Sequence, residues 1–167
     1  ETSQGVQKLN DFIKKYGTDF VYPKDMSRCF SNYEGERIPL LELNPNTSNV
    51  TNMEYLFSEC RFLKSIPAMN TQNVTNMSMM FFKCEKLSSV PALNTSNVTN
   101  MGLMFVGCES LTTVPLLNTS NVTEMGGMFS GCHSLVEIPT LDTSKGKFLA
   151  AMFAGCSSLK QIPLLNT

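Results

Sequence analysis

The apolar positions of this chain fall into a short pattern that returns at one fixed interval. Met77, Met80, Phe81 and Cys84 stand at i, i+3, i+4 and i+7, which predicts one face of a short helix. Asn76 precedes them where an N-cap would stand. Gly107, Gly131 and Gly155, just before the cysteines of later units, suit a left-handed helix end. Leu87-Ser-Ser-Val90 then alternates too briefly for a helix and is followed by Pro91, which cannot donate within a central ladder. That predicts a short strand. Leu93-Asn94-Thr95-Ser96 predicts a turn, because its short polar side chains bond local backbone, and Val98 and Thr99 add a second short extended piece.

The whole set repeats every 24 residues. Cys60, Cys84, Cys108, Cys132 and Cys156 mark the period. Phe57, Phe81, Phe105, Phe129 and Phe153 follow it, as do Leu63, Leu87, Leu111, Leu135 and Leu159 and the prolines Pro67, Pro91, Pro115, Pro139 and Pro163. A fixed period of this size means that each repeat is one supersecondary unit stacked on its neighbours. The predicted architecture is an α/β solenoid, with short parallel strands on one side, short helical turns on the other, and strands about 4.8 Å apart. Equivalent residues then form ladders, and the Leu, Ile/Val, Met and Phe ladders supply the core. Met53, Met77, Met101 and Met125 form one methionine ladder, and Met80, Met104, Met128 and Met152 another. A methionine stripe also suits a copper site or an adaptable groove, but the helical spacing with phenylalanine points to core.

Residues 1–45 depart from the period. Val6, Leu9, Phe12, Ile13 and Tyr16 lie on one face of a helix predicted to end at Gly17. Met26-Ser-Arg-Cys29 imitates the Phe-x-x-Cys step, and Ile38-Pro39-Leu40-Leu41 imitates the strand end. Three extra residues separate them, and four more precede Asn46. Residues 1–45 are therefore expected to form an N-terminal helical cap and a degenerate first repeat. Residues 46–167 form five 24-residue repeats followed by a truncated sixth. A solenoid needs such a cap, because an open end exposes core and unpaired edges. The start at Glu1 and the stop at Asn166-Thr167 suggest a portion of a longer product.

The units resemble the BspA-like leucine-rich repeat family of bacterial surface proteins, in the variety N-T-S-N-V-T-N-M-x-x-M-F-x-G-C-x-S-L. Residues 46–167 carry the resemblance strongly, Asn94 through Cys108 almost completely, and residues 26–41 weakly. It implies a leucine-rich-repeat solenoid, export to the cell surface, and adhesion or partner binding without enzymatic activity. Similar repeats occur in some protozoan surface proteins and phage-encoded proteins. The resemblance supplies no active-site residue and no ligand.

Composition narrows the function classes. The 167 residues are 42% hydrophobic and 16% charged, with a formal net charge of −1. Wholesale disorder is thereby excluded, as is a basic field for nucleic acid or anionic lipid. No apolar run reaches the 18 or so residues of a membrane span. Nearly half the charges sit in residues 1–45, so the repeats themselves are unusually neutral. In a stack, a charge ladder would set like charges about 5 Å apart, which is costly.

Candidate chemistry is sparse. The six cysteines lack the C-x-x-C pairing of zinc sites, and stacked positions have parallel Cβ vectors, which disfavour a disulfide. Buried free thiols are expected, with Cys29 the one most exposed. His133 beside Cys132 suggests a Cys-His pair, but adjacent turn residues rarely face each other, and sister units carry Arg61, Glu85, Glu109 and Ser157 there. With no Gly-rich phosphate loop, special carboxylate pair or metal cluster, the reading is not an enzyme, with no catalytic, metal or cofactor residues and no cofactor.

Eight Asn-x-Ser/Thr sequons begin at Asn46, Asn49, Asn73, Asn76, Asn94, Asn97, Asn118 and Asn121. Glycans at one-strand spacing would collide, so these read as turn and cap residues, in keeping with a bacterial or phage source. The threonines Thr51, Thr75, Thr99 and Thr123 read as repeat structure, with ice binding a remote alternative. The remaining candidate is the outward strand face: Lys64, Ser65, Ser88, Ser89, Thr112, Thr113, Val136, Glu137, Lys160 and Gln161. It is hydroxyl-rich and lacks an aromatic anchor, so it either binds a modest polar partner or is simply solvated. A weaker candidate is Lys145, Lys147 and Phe148, where the last full unit replaces Asn-Val-Thr-Asn-Met with Lys-Gly-Lys-Phe-Leu. Drift near an array end is the favoured explanation of that change. The expected function is an extracellular, non-catalytic recognition or adhesion module for a protein or glycan, with a structural spacer or cap in a larger surface or phage assembly as the alternative.

Overall fold

The computed structural model describes the backbone of residues 3–166 and every side chain within it except those of residues 3–6 and 9. Helix α1 (Ser3–Tyr16) opens the chain, with Phe12 and Ile13 half-buried; Val6 and Leu9 lie outside the described side chains. Lys14 and Lys15 occupy its last turn, where cations face the negative end of the helix dipole. It stops at Gly17, whose φ of +71° lets its amide reach Ile13 O at 2.8 Å. Ring contacts Phe12–Phe20 at 5.1 Å and Phe20–Tyr22 at 5.0 Å lead from α1 to the core.

From residue 24 the chain winds into stacked coils, joined by parallel bridges running Asp25, Asn52, Asn76, Asn100, Glu124, Phe148. The predicted helix of each repeat is instead a string of tight turns. Met80 N–H donates to Met77 O, Phe82 N–H to Met79 O, and Cys84 N–H to Phe81 O. Met79 and Lys83 are left-handed, with φ of +52° and +56°. The same two positions are left-handed in each coil, as Arg28/Asn32, Tyr55/Glu59, Leu103/Gly107, Gly127/Gly131 and Ala151/Gly155.

The reason lies in where the amides go. Met77, Met79, Phe81 and Lys83 donate to Asn100, Gly102, Met104 and Val106 of the next coil, at 2.9, 3.0, 2.9 and 2.6 Å. A helix would keep those amides within the segment. About eight residues gain little as a helix because nucleation is costly, whereas stacking satisfies alternate amides and turns satisfy the ones between. The i, i+3, i+4, i+7 pattern survives because the turns also collect those side chains on the core side. Asn76 caps as expected, but it caps the turn string: its Oδ1 accepts from Ser78 N–H at 2.9 Å, as Asn52 does from Glu54 and Asn100 from Gly102.

The predicted strands are likewise reduced. Between Leu87 and Val90 a single backbone bond, Ser88 N–H to Lys64 O at 3.4 Å, joins the coils, and among the described residues parallel pairing consists of isolated bridges. The proline that closes each such segment has no N–H, so no ladder extends through it.

Residues 26–32 bond to the following coil in a different register from the one the sequence suggested. Met26-x-x-Cys29 occupies the place of Met53-x-x-Leu56, not of Phe57-x-x-Cys60: Met26 N–H donates to Asn52 O as Met53 N–H does to Asn76 O. Phe30 then matches Phe57, and Cys60 Sγ donates to Phe30 O as Cys84 Sγ does to Phe57 O. The four extra residues before Asn46 are taken up by a second short helix, α2 (Pro39–Leu43).

The core is a bundle of columns. Phe30, Phe57, Phe81, Phe105, Phe129 and Phe153 form one stack, with ring centroids 5.5–5.9 Å apart and planes within 18°. Both methionine columns are buried beside it, so the methionines are core. The thiols of Cys60 through Cys156 each donate to a phenylalanine carbonyl one coil back, at 3.0–3.1 Å. A buried threonine column adds a polar seam: Thr47, Thr71 and Thr95 hydroxyls donate to Asn70, Asn94 and Asn118 carbonyls at 2.7–2.9 Å.

Candidate functional site

Each coil leaves three kinds of surface: the segment after Cys, the segment before Pro, and the Asn/Thr/Ser turn. The segment before Pro carries the sequence-predicted face. Lys64, Ser65, Ser88, Ser89, Thr112, Thr113, Glu137, Lys160 and Gln161 are all exposed, and Val136 is half-buried. Sparse backbone bonds align the column: Lys64 N–H to Glu36 O, Ser88 N–H to Lys64 O, Val136 N–H to Thr112 O, and Lys160 N–H to Val136 O. Lys64 Nζ also lies 2.9 Å from Glu36 Oε1. The middle of this face is therefore hydroxyls, with cations towards both ends.

The weaker candidate residues sit in the last coil. Phe148 holds the bridge position that polar residues (Asp25, Asn52, Asn76, Asn100 and Glu124) hold in the other coils, and is 64% exposed. Lys145 and Lys147 are exposed, and Lys145 Nζ donates to Asn121 Oδ1 at 2.8 Å, in the column where asparagines tie neighbouring coils. Lys145 thus takes over a structural bond, which leaves Lys147 and Phe148 as the free part of that patch.

The residues after Cys60, Cys84, Cys108 and Cys132 line a shallow groove of about 330 Å³, with Arg61, Lys83, Glu85, Glu109 and His133 on its walls. Arg61 is paired with Glu59 and Glu85 at 3.2 and 3.4 Å. Sequence reading passed over this groove because its members vary from unit to unit; the one available signal is that the position after each of the five periodic cysteines is polar. His133 and Cys132 point apart: Cys132 Sγ donates inward to Phe105 O, while His133 Nδ1 lies 2.9 Å from Gly155 O on the surface.

Burial pushes the Cys60 thiol up to about 11 and the Cys132 thiol to about 12, and raises Cys84 and Cys108 well above the usual range. At neutral pH these thiols are protonated, and a protonated thiol is neither nucleophile nor metal ligand. Cys29 is free and exposed. Among the described residues, no group of three or more His, Cys, Asp or Glu side chains is arranged to hold a metal ion. No described helix is long and apolar enough to cross a membrane.

The sequon asparagines, Asn49 apart, are committed to backbone bonds. Asn46, Asn76, Asn94 and Asn118 accept from the amide two residues on, and Asn73, Asn97 and Asn121 donate to a carbonyl of the preceding coil.

Comparison with known proteins agrees with this architecture. A family profile described as "Mycoplasma protein of unknown function, DUF285" matches residues 3–61, 24–135 and 85–166. A leucine-rich repeat protein from Eubacterium ventriosum ATCC 27560 is similar in structure, with a TM-score of 0.53 and 22% identity over 87% of this chain and 35% of that one. This chain thus spans about a third of that protein's length. The T. pallidum leucine-rich repeat protein TpLRR aligns at a TM-score of 0.36 and 19% identity, over 67% of this chain and 62% of that one. No curated protein matches. The likeness shows the fold: a leucine-rich-repeat solenoid.

Proposed function

Because the chain belongs to the family described as Mycoplasma protein of unknown function, DUF285, and is wound as a leucine-rich-repeat solenoid, we propose that it is a non-catalytic recognition module of the BspA-like kind. Residues 1–45 act as its cap and first coil, and residues 46–167 as its repeat array. It works at a bacterial cell surface and binds a protein or glycan through the column from Lys64 to Gln161. The observation that carries this reading is the column itself: hydroxyls held in register by stacked coils, with neither packing nor ion pairing to explain Ser88, Ser89, Thr112 and Thr113. A rigid row of hydroxyls exchanges hydrogen bonds with a polar partner at little ordering cost.

The test is binding of the folded chain to a glycan array and to an array of surface proteins. Ser89→Asp with Thr113→Asp is expected to abolish any binding detected while leaving the unfolding midpoint unchanged. Undiminished binding by that variant rejects the column as the site.

A second reading has its own support. Six stacked phenylalanine rings and a continuous run of inter-coil bonds make a stiff rod, which is what a spacer in a larger surface or phage assembly requires. Deleting one 24-residue unit separates the two: a spacer loses function with length, whereas a recognition module tolerates loss of a coil outside Ser88–Thr113.

A further inference from the structure

The groove beside the periodic cysteines has a floor of bare backbone. Asn32, Glu59 and Lys83 hold one left-handed position in successive coils, and Gly107 and Gly131 hold it in the next two. Where those side chains stop, the groove begins. Gly107 N–H and Gly131 N–H donate to Ser130 O and Ala154 O at 2.8 and 2.7 Å, so the amides of the floor are already spent. A Cβ on Gly131 would stand 3.5 Å from Gly107 N and 3.6 Å from Gly107 Cα. Beyond its chain neighbours, no side chain comes within 4 Å of that point.

Both ends of the floor are bounded. Lys83 lies along it at one end, its Cγ 3.4 Å from where a Cβ on Gly107 would stand. His133 bounds the other, its Nδ1 2.9 Å from Gly155 O. The floor spans about two coil spacings, roughly 10 Å. A volume of about 330 Å³ is at the small end of ligand sites.

Four formal charges, those of Arg61, Lys83, Glu85 and Glu109, line the groove and cancel. Arg61 and Glu85 pair with each other at 3.4 Å. Among the described residues, Lys83 and Glu109 pair neither with each other nor with any other charge. Lys83 Nζ rests 5.2 Å from the centroid of the Phe82 ring. The groove thus offers one cation and one anion, apart from each other, to the same small space.

We propose that this groove binds a short zwitterion of dipeptide size, its ammonium on Glu109 and its carboxylate on Lys83. Two extended residues reach about 7 Å, which fits the floor, and their backbone lies flat on Gly107 and Gly131. A molecule with no net charge suits a groove with none. One surface ion pair alone is worth little, so a ligand with a single charge is held poorly, whereas a zwitterion is held at two fixed points. The site is separate from the column of Lys64 to Gln161 and stands whether or not that column binds a partner.

Alanylalanine titrated into the folded chain to about 10 mM, followed by amide NMR, tests this, since millimolar is the weak limit of specific binding. The expected result is saturating shifts at the Gly107 and Gly131 amides. N-acetyl-alanylalanine lacks the cation and alanylalaninamide lacks the anion. Each should bind about fivefold more weakly, the loss of one ion pair at the upper end of the surface range. Lys83→Met and Glu109→Gln should weaken alanylalanine by the same factor. Both keep the fold by circular dichroism, since Met79 already adopts the left-handed backbone and Glu109 is exposed. Gly131→Asn covers the floor with the side chain that Asn32 carries at the equivalent place, and should abolish the shift at Gly107. Lys64→Met and Glu137→Gln, on the other column, should leave binding unchanged. No saturation by about 10 mM, equal binding of either blocked peptide, undiminished binding by Lys83→Met or Glu109→Gln, or equal loss in Lys64→Met overturns the proposal.

Discussion

Phe105 and Phe153 hold the same place in two coils and fare differently. Phe105 lies between Phe81 and Phe129, at 5.5 and 5.6 Å, and is wholly buried. Phe153 has one ring neighbour, Phe129 at 5.9 Å, and is half-buried. Their local sequences are alike, so the difference comes from the number of flanking coils. An interior coil is completed on both faces by its neighbours, whereas a terminal coil is completed on one. Burial of the ring stack and amide pairing change together at the ends, as expected where each unit contacts only adjacent ones.

This contrast is open to experiment at several scales. The largest expected effect is collective and comes from the interior thiols. The folded chain holds protons that the unfolded chain releases from about pH 9, while Cys60 and Cys132 release theirs only at about 11 and 12. Stability is thus full below pH 9 and falls as pH rises through that window. Thermal melts between pH 8 and pH 11 should show a steadily falling Tm, with a shallower slope after Cys132→Ala. Next, Phe105→Ala should cost about 4 kcal/mol, the usual figure for a fully buried phenylalanine. Phe153→Ala should cost well under half of that, and urea denaturation compares the two.

Smaller effects probe the bonds between coils. Thr95→Val removes the buried hydroxyl that reaches Asn118 O and should cost about 1–2 kcal/mol, because that carbonyl is left unpaired. Thr99→Val, on the exposed threonine column, should stay within about 0.5 kcal/mol. The smallest effect is at the left-handed position before cysteine. Gly131→Ala forces a Cβ onto a φ of +74° and should cost about 1 kcal/mol, whereas Lys83→Gly relieves the same strain and should gain a few tenths. Equal responses of Gly131 and Lys83 to their substitutions would mean that the turn string is not what sets these positions.

The sequence made the array legible because equivalent side chains must share a column. The period, the inward Leu, Met and Phe, the buried cysteines and the structural asparagines all follow from that single constraint. Backbone detail was hidden for a physical reason. An i, i+3, i+4, i+7 pattern reports which side chains face the core, and both a helix and a string of turns satisfy it; the choice was made by amides bonding to another coil, which no local window contains. The first coil was misread by one turn because Met26-Ser-Arg-Cys29 offers a better cysteine match than the true one, in which Tyr33 stands where Cys60 does. Glycines before the cysteines did signal left-handed backbone, yet Glu59 and Lys83 adopt it without glycine. In the surface column the two residues between each inward Leu and Ile/Val are exposed, Val136 apart; its partner is written in no pattern of the chain.

Amide hydrogen exchange followed by NMR tests the central claim that coils are completed by their neighbours. Met77, Met79, Phe81 and Lys83 donate to the next coil, while Leu149, Ala151, Phe153 and Gly155 occupy the same places without one. The account predicts strong protection for the first set and exchange near the unprotected rate for the second. Comparable protection of both sets would show that the bonds are made within each unit, as in a helix, and would contradict the stacked-turn solenoid.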